Sequence, residues 1–448
     1  MKGHPPAPFP GDWYRERRAE VSRILDDGTL ILPASPVRFR RGDSEYRYRP
    51  DPELLYLTGH SAPEAVVIIQ GEAAGGESVL FAPPRDAAQE RWTGPRRAPE
   101  ELAAELGLDQ GFPNHNLSEV LPRFLEPAHL AYLRWGGNPQ VDQLVKDGLQ
   151  LGRDRGARTG KGLRGVMDPG QVLDSLRLRK TPLEVERMVA AADLTVEGFR
   201  EALRVAAPGR GEWEVEAALE WVFRKGGGEG SAFASIVASG SSAATLHYTA
   251  NHRVMEAGDL LLVDSGADYG GYAGDVTRTI PVSGRFTPEQ ADLYGVVARA
   301  LEAARRAVNP GAPVDAPHHA AVEVLCQGLA ELKILQGEPD EIQATGGYKS
   351  CFPHQTSHWL GLEVHDVGSY VDGGAPIRLA SGMVLTVEPG LYIPAEGAEP
   401  EGSGRGWGRF RGLGIRLEDD ILVTPEGQRN LTESLPVDPD QVEQLLAR

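Results

Sequence analysis

The spacing of hydrophobic residues in the first part of the chain predicts a mixed α/β unit. Apolar residues recur at helical spacing in three segments, residues 13–25, 99–106 and 141–151. Short apolar runs predict strands at residues 29–32, 65–69, 78–81 and 130–133. The glycines and arginines of residues 152–164 predict a solvated loop.

Helix-start signals mark the second part of the chain. A capping box with proline at the first helical position stands at residues 181–184 and again at residues 287–290. A further helix is predicted over residues 317–332. We therefore predict an N-terminal domain at residues 1–173 and a second domain at residues 174–448.

Two segments of the second domain resemble each other. Residues 258–266 and 382–390 both read as a glycine, an apolar strand, a carboxylate and another glycine. The second domain is therefore expected to contain two related halves, each with one acidic strand end.

Four carboxylates stand where burial is expected. Asp264 directly follows the apolar run 260–263, and Glu388 follows the run 384–387. Asp275 and Glu418 lie in similar strand contexts, in which alternation places Asp275 on one face with Thr277 and Thr279. The same alternation puts Arg416, Glu418 and Asp420 on one face. A buried carboxylate without a partner costs several kcal/mol or takes up a proton, so this set needs compensating cations.

Histidines concentrate in the same part of the sequence, at His247, His354, His358 and His365. Four ionised carboxylates facing one point would repel one another, whereas two divalent cations would neutralise them. An oxygen-rich site with a neutral imidazole suits Mn²⁺, with Co²⁺ or Zn²⁺ as substitutes. Such a pair can activate water and polarise a carbonyl, which predicts hydrolysis without a covalent enzyme intermediate.

Bulk composition excludes several classes of partner. The formal net charge of −18 argues against nucleic acid or an anionic membrane as the main partner. The apolar runs are too short to span a bilayer, and the N-terminus lacks the apolar segment of a signal peptide. Two cysteines, Cys326 and Cys351, fit a reduced cytoplasmic chain better than a disulfide framework.

The ordered set Asp264, Asp275, His358, Glu388 and Glu418 resembles the five metal ligands of the pita-bread metallopeptidases. The surrounding strings, such as Val-Asp-Ser-Gly, Ser-His-Trp-Leu-Gly and Val-Glu-Pro-Gly, are specific in combination. The run Ser-His-Trp-Leu-Gly-Leu-Glu-Val-His-Asp-Val-Gly resembles the aminopeptidase P branch. The resemblance implies a creatinase-like mixed α/β N-terminal domain and an α+β pita-bread catalytic domain.

The same resemblance implies a role for each matching residue. Asp264 would hold one metal and His358 the other, while Asp275 and Glu418 would bridge both. Glu388 would bind a metal and shuttle protons. Three histidines would contact the substrate. His365 would lie at the oxygen of the tetrahedral intermediate, His247 at the scissile peptide and His354 in the proline-side pocket. Arg416 and Tyr392 would support the site. Trp92 resembles an aromatic residue that reaches a neighbouring subunit, and relatives suggest a homodimer or homotetramer.

The reaction implied is release of an N-terminal residue from small peptides whose second residue is proline. A prolidase, restricted to Xaa-Pro dipeptides, is the nearest alternative, because it uses the same ligands. A non-catalytic pita-bread binding module and a metal-free hydrolase of the creatinase type are further alternatives, although the chain keeps all five ligand positions. The glycine-rich segment 402–412 is expected to be a mobile hairpin loop at the site entrance rather than a phosphate loop. His318 and His319 are expected to be a helix-surface pair rather than a second metal site.

Overall fold

The computed structural model describes residues 4–446, which form two units. One unit is Pro8–Leu176, and the other contains residues 177–446 with residues 4–7. Among residues 4–446, no helix is long and apolar enough to cross a membrane.

The N-terminal unit is built on a mixed sheet. Its strands are β1 (Gly28–Pro33), β2 (Phe39–Arg41), β3 (Ser44–Glu45), β4 (Val66–Gln70), β5 (Ser78–Ala82), β6 (Gln110–Pro113), β7 (Leu130–Tyr132) and β8 (Gly165–Met167). Its helices are α1 (Gly11–Leu25), α2 (Pro52–Thr58), α3 (Ala87–Thr93), α4 (Pro99–Leu106), α5 (Leu117–Leu125), α6 (Pro139–Thr159) and, across the boundary between the units, α7 (Gly170–Leu178). Within Pro8–Leu176 the six strands of the sheet lie in the order β6-β5-β4-β1-β7-β8, and β2 and β3 form a separate hairpin.

The predicted elements of this unit are present, but one loop was predicted wrongly. Residues 152–159 continue helix α6 instead of forming a loop, and the helix ends at Gly160, whose φ is +71°. Arginine favours a helix, so residues 152–159 remain helical. Gly160 supplies the left-handed conformation that ends a helix, and α6 therefore stops there.

The second unit contains short antiparallel sheets surrounded by helices. Its strands are β9 (Gly230–Ser231), β10 (Ile236–Ser239), β11 (Leu260–Ser265), β12 (Ala267–Tyr269), β13 (Tyr272–Ala273), β14 (Val276–Pro281), β15 (Val371–Asp372), β16 (Ala375–Pro376), β17 (Val384–Val387), β18 (Gly390–Tyr392), β19 (Gly414–Arg416), β20 (Asp419–Thr424) and β21 (Gly427–Asn430). Its helices are α8 (Pro182–Val205), α9 (Glu212–Lys225), α10 (Pro288–Ala307), α11 (Ala316–Glu331), α12 (Pro339–Thr345) and α13 (Pro439–Leu446).

Both capping boxes form at the predicted helix starts. The Thr287 hydroxyl accepts from the Gln290 N–H at the start of α10, and Glu184 Oε2 accepts from the Thr181 N–H at the start of α8. Each pairing satisfies a donor that the helix leaves free, and so fixes where the helix begins.

The two similar segments become strands of two antiparallel sheets, β11 at the centre of one and β17 at the edge of the other. Strand β11 lies between β10 and β14, and strand β17 pairs with β20, which also pairs with β21. On β11, Leu260 and Leu262 face one apolar core while Leu261 and Val263 face another. A strand buried on both faces carries its terminal carboxylate into the interior, which positions the site.

The glycine-rich segment 402–412 differs from the loop expected. It forms a helical turn at Trp407–Arg409 and buries the rings of Trp407 and Phe410. The Gly404 N–H donates to the Ile334 carbonyl, and the Gly406 N–H to the Lys333 carbonyl. Burial of the two aromatic rings therefore attaches this segment to the core.

Candidate metal centre

The strand ends bring four carboxylates to one place. Asp264 lies on β11 opposite Thr277 of β14, and Asp275 immediately precedes β14. Glu388 follows β17, and Glu418 lies between β19 and β20. The Glu418 N–H donates to the Thr277 carbonyl at 3.0 Å, which links the β11–β14 strand pair to the segment that carries Glu418.

Ligand atoms of Asp275, His358 and Glu418 lie within 4.8 Å of one another. His358 Nε2 is 3.5 Å from Asp275 Oδ2 and also 3.5 Å from Glu388 Oε1. Asp264 adds its charge to the same pocket, because it raises the pKa of Asp275, Glu388 and Glu418. All five predicted ligands are therefore assembled in one pocket.

The imidazole of His358 is oriented by its second nitrogen. Nδ1 lies 3.1 Å from the Trp359 carbonyl, and a carbonyl can only accept a hydrogen bond. A hydrogen at Nδ1 leaves Nε2 with a free lone pair directed towards the carboxylates. This is the arrangement that metal-binding histidines commonly adopt.

Burial and mutual repulsion shift the acids of the pocket in one direction. The pKa of Asp275 is raised well above its ordinary value by burial and then by the charges of Asp264 and Asp420. Burial and the charge of Asp275 likewise raise the pKa of Glu418 well above its ordinary value. Burial also raises the pKa of Glu388, although the His358 charge opposes this effect. Without a cation the pocket therefore retains protons.

The donor set fits divalent metal ions. The buried atoms Asp264 Oδ1 and Asp420 Oδ1 have no hydrogen-bond partner among the described residues. Buried carboxylate oxygens without a proton donor are costly, and a cation removes that cost. Oxygen ligands with one imidazole suit hard or borderline divalent ions.

Arg416 borders the carboxylates and connects them to the predicted substrate residues. Its Nη1 donates to the Tyr392 hydroxyl at 2.9 Å. Tyr392 Oη lies 2.9 Å from His354 Nε2, while His354 Nδ1 lies 2.7 Å from the Gln355 carbonyl. Burial lowers the pKa of His354 to about 4. His354 is therefore neutral, and its Nε2 accepts from the Tyr392 hydroxyl.

The remaining predicted histidines also reach the pocket. The rings of His358 and His365 are 4.5 Å apart and nearly perpendicular, at 80°. Partial burial and then the charges of His358 and His247 lower the pKa of His365. The His247 charge also lowers the pKa of His354, so His247 lies near both. Both His247 and His365 are exposed, which leaves them accessible to a substrate.

Two neighbouring acids outside the predicted ligand set have structural roles. Asp420, on the face predicted from strand alternation, accepts from the Asp275 N–H at 3.1 Å. Asp419 faces the opposite way and is paired with Arg278 and Arg305 at 2.7 and 2.8 Å. Alternation along the strand could identify the face of Asp420, whereas the two arginine partners gave no local signal.

Three further residues singled out in the sequence are His318, His319 and Trp92. His318 Nδ1 is 3.0 Å from Thr356 Oγ1. His318 therefore contacts a residue inside the fold, whereas it was expected on the helix surface. His319 is exposed and lies 3.4 Å from Asp315. Trp92 belongs to the N-terminal unit and is 87% exposed.

Comparisons with known proteins agree with this architecture. Residues 186–425 match the profile of metallopeptidase family M24, and residues 14–132 match that of the aminopeptidase P N-terminal domain. Xaa-Pro aminopeptidase of Escherichia coli K12 is 36% identical over 436 residues, which cover 97% of each chain. Human Xaa-Pro aminopeptidase 3 is 31% identical over 94% of this chain and 81% of its own.

Solved structures show the same fold over nearly the whole length. Pseudomonas aeruginosa aminopeptidase PepP matches with a TM-score of 0.91 and 38% identity, covering 98% of both chains. A variant of Escherichia coli aminopeptidase P in complex with substrate has a TM-score of 0.91 at 34% identity, with 98% and 99% covered. The predicted resemblance and fold class are confirmed, and the chain belongs to metallopeptidase family M24.

Proposed function

We propose that this protein is an Xaa-Pro aminopeptidase, which releases the N-terminal residue from small peptides with proline at the second position. The observation that carries the proposal is the buried pocket of four carboxylates and one imidazole. It occurs in a chain 36% identical to Escherichia coli Xaa-Pro aminopeptidase over 97% of both lengths. Proline makes a tertiary amide without an N–H, which explains the need for a dedicated enzyme.

Two divalent metal ions are the proposed cofactor, with Mn²⁺ as the expected ion and Co²⁺ or Zn²⁺ as substitutes. Asp264 and His358 would each hold one ion, Asp275 and Glu418 would bridge them, and Glu388 would complete the set. Support comes from the charge balance, because two divalent cations neutralise four carboxylates, and repulsion within the pocket otherwise raises the pKa values of Asp275 and Glu418. When bound, such ions polarise a carbonyl and lower the pKa of water.

The chain's own residues would then position the substrate and move protons. Glu388 lies 3.6 Å from His354 and 3.5 Å from His358, and its raised pKa suits a group that takes up and returns a proton. His365 would donate a hydrogen bond to the developing oxyanion. His247, on the accessible side of the pocket, would contact the scissile peptide.

The proline side of the substrate is assigned to His354. Its ring lies 4.6 Å from that of Phe352, and its Nε2 accepts from Tyr392, which in turn accepts from Arg416. These contacts make a neutral, fixed ring that can pack against a pyrrolidine. Arg416 would preserve the arrangement by holding Tyr392 and Asp264 together.

The test is release of the first residue from three peptides with and without Mn²⁺. An Xaa-Pro-Xaa tripeptide should be cleaved only with metal, while its Xaa-Ala-Xaa analogue and an N-acetylated copy should be poor substrates. Cleavage of an Xaa-Pro dipeptide alone would identify a prolidase. A protein that binds fewer than one divalent ion per chain and cleaves none of the peptides would be a non-catalytic module.

Cellular location and subunit count complete the proposal. We propose a cytoplasmic homo-oligomer, a dimer or a tetramer, with Trp92 of one copy near the active site of another. Trp92 is 87% exposed, and helix α3 buries none of its residues, which leaves this surface available to a partner. Light scattering of the wild type and of Trp92→Ala tests this, since only an oligomer can place that residue at a second pocket.

A further inference from the structure

His365 and Asp366 are neighbours in sequence but have opposite environments. His365 is exposed at the pocket, and within residues 4–446 its imidazole makes no hydrogen bond. The Asp366 side chain is 1% exposed. Because the imidazole has no hydrogen bond of its own, its position depends on how the adjoining backbone is held.

Two buried cations hold the carboxylate of Asp366. Arg177 Nη2 donates to Oδ1 at 2.6 Å and Lys180 Nζ donates to Oδ2 at 2.9 Å, and all three side chains are 1% exposed. Burial alone would raise the pKa of Asp366, but the charges of Lys180 and Arg177 hold it below its ordinary value. Charges buried this deeply are costly to separate, so the three groups form a fixed unit.

The same groups close the loop that carries His365. Arg177 Nη2 also donates to Glu363 Oε2 at 2.9 Å, and the Asp366 N–H donates to the Trp359 carbonyl at 2.9 Å. A Cβ atom on Gly361 would lie 2.1 Å from Asp366 Oδ2. The backbone at Gly361 is therefore packed directly on the Asp366 carboxylate.

Lys180 links this loop to the strand that leads to Glu388. Its N–H donates to the Gly382 carbonyl at 2.8 Å, two residues before β17 begins. Because this bond is made by the Lys180 backbone, replacing the side chain leaves it in place, and the start of the ligand-bearing strand stays held.

We propose that Arg177, Asp366 and Lys180 form an ion triad that positions His365 for the reaction. The three are positioning residues, because their charged groups pair with one another and with the loop. This inference rests on the proposed function, since it requires His365 to contact the substrate during turnover.

The test is a mutant cycle between the triad and His365, with kcat and KM measured on an Xaa-Pro tripeptide in Mn²⁺. Lys180→Met removes one cation and leaves Asp366 with Arg177. Should that variant not fold, Lys180→Met with Asp366→Asn removes one charge of each sign. Each is made alone and with His365→Ala, and metal content and melting temperature are measured for all.

The expected result is a kcat about 10 to 100 times lower in the triad variants, with metal content and KM little changed. Adding His365→Ala should cause no further loss, because both changes remove the same contribution. Arg18→Met is the matched control. It removes a buried cation that holds the Leu57 and Gly107 carbonyls of the N-terminal unit, and should lower the melting temperature without lowering kcat.

Two results in the triad variants would overturn the inference. One is a wild-type kcat in the metal-loaded triad variants while kcat of His365→Ala is reduced. That result would contradict the triad's role but not the proposed function. The other is a loss that multiplies with that of His365→Ala, which indicates a general structural effect. A wild-type kcat in His365→Ala would instead remove the proposed role of that histidine, and the inference with it.

Discussion

Arg416 Nη2 lies 2.6 Å from Asp264 Oδ2, and the two side chains are only 5% and 12% exposed. The Asp264 carboxylate thus has one oxygen paired with the arginine and the other, Oδ1, without a hydrogen-bond partner in the described chain. This division leaves Oδ1 available to a cation while Arg416 fixes the plane of the carboxylate.

Arg416→Met should weaken both metal binding and turnover. The variant leaves Asp264 without its partner and Tyr392 without its donor, and groups that orient a metal ligand typically contribute about 10–100-fold. Metal titration and kcat/KM measure the loss. Arg409→Met is the control, because it breaks exposed pairs with Glu289 and Asp292 and a contact with the Phe410 ring, and should change neither quantity. Unchanged affinity in Arg416→Met would contradict the orienting role.

Asp264→Asn and Glu418→Gln should each abolish turnover while leaving the fold largely intact. Each replaces a proposed ligand with a group of the same shape and no charge, and several kcal/mol of transition-state stabilisation is on the order of 1,000-fold in rate. Metal content and kcat measured together identify the cause. Glu289→Gln, at an exposed acid, should retain wild-type values, and full activity in either site variant would refute the mechanism.

Metal binding should release protons and become tighter as pH rises. The pKa values of Asp275, Glu388 and Glu418 are raised in the folded protein. Stability linked to these groups is therefore highest below the ordinary carboxyl range of about 4, and falls as pH rises through the raised values. Metal reverses the effect, because it binds the ionised forms.

Calorimetry in two buffers of different ionisation enthalpy measures the protons released. The melting temperature of chelator-treated and metal-loaded protein should diverge as pH rises from 5 to 8. The depressed pKa values of Asp366 and Asp419 act in the opposite direction, but they contribute equally to both forms and cancel in the difference. Binding without proton release would show that the carboxylates were already ionised.

Tyr248→Phe should lower kcat by about fivefold by loosening the segment that carries His247. The Tyr248 hydroxyl donates to Glu212 Oε2 at 2.9 Å, and the same buried carboxylate accepts from Ser239 and the Arg253 N–H. Loss of one such hydrogen bond is worth about 1 kcal/mol. Tyr294→Phe removes a core hydroxyl that donates to the Val437 carbonyl, and should reduce stability without changing kcat. Equal kcat values in Tyr248→Phe and Tyr294→Phe would contradict the proposal that the Tyr248 hydroxyl holds the segment that carries His247.

The burial of Asp264 and Glu388 could be predicted from the sequence because each stands at the end of an apolar strand. Period-two alternation and the cost of burying a carboxylate suffice to place Asp264 and Glu388 inside, and both effects act over only a few residues. The role of each residue in metal binding and catalysis was inferred from the family resemblance, because burial and periodicity carry no information about roles.

The anchoring contacts could not be predicted in the same way. Lys180 and Asp366 are separated by 186 residues, and nothing local in either segment indicates the pairing. Helix α6 illustrates the opposite failure, in which glycine and arginine composition predicted a loop but the chain stayed helical up to Gly160. The pairing of Lys180 with Asp366 depends on tertiary structure, whereas the end of α6 depends on the local conformation of Gly160.

The order of the proposed ligands along the chain has a consequence during protein synthesis. Asp264 and Asp275 belong to one half of the catalytic domain, whereas Glu388 and Glu418 belong to the other, and Glu418 is the last of them to be translated. A nascent polypeptide that has not yet emerged past this glutamate cannot complete the pocket. With the proposed ligand set, peptide hydrolysis would therefore be withheld from chains that end before Glu418, and would become available only when translation is almost finished.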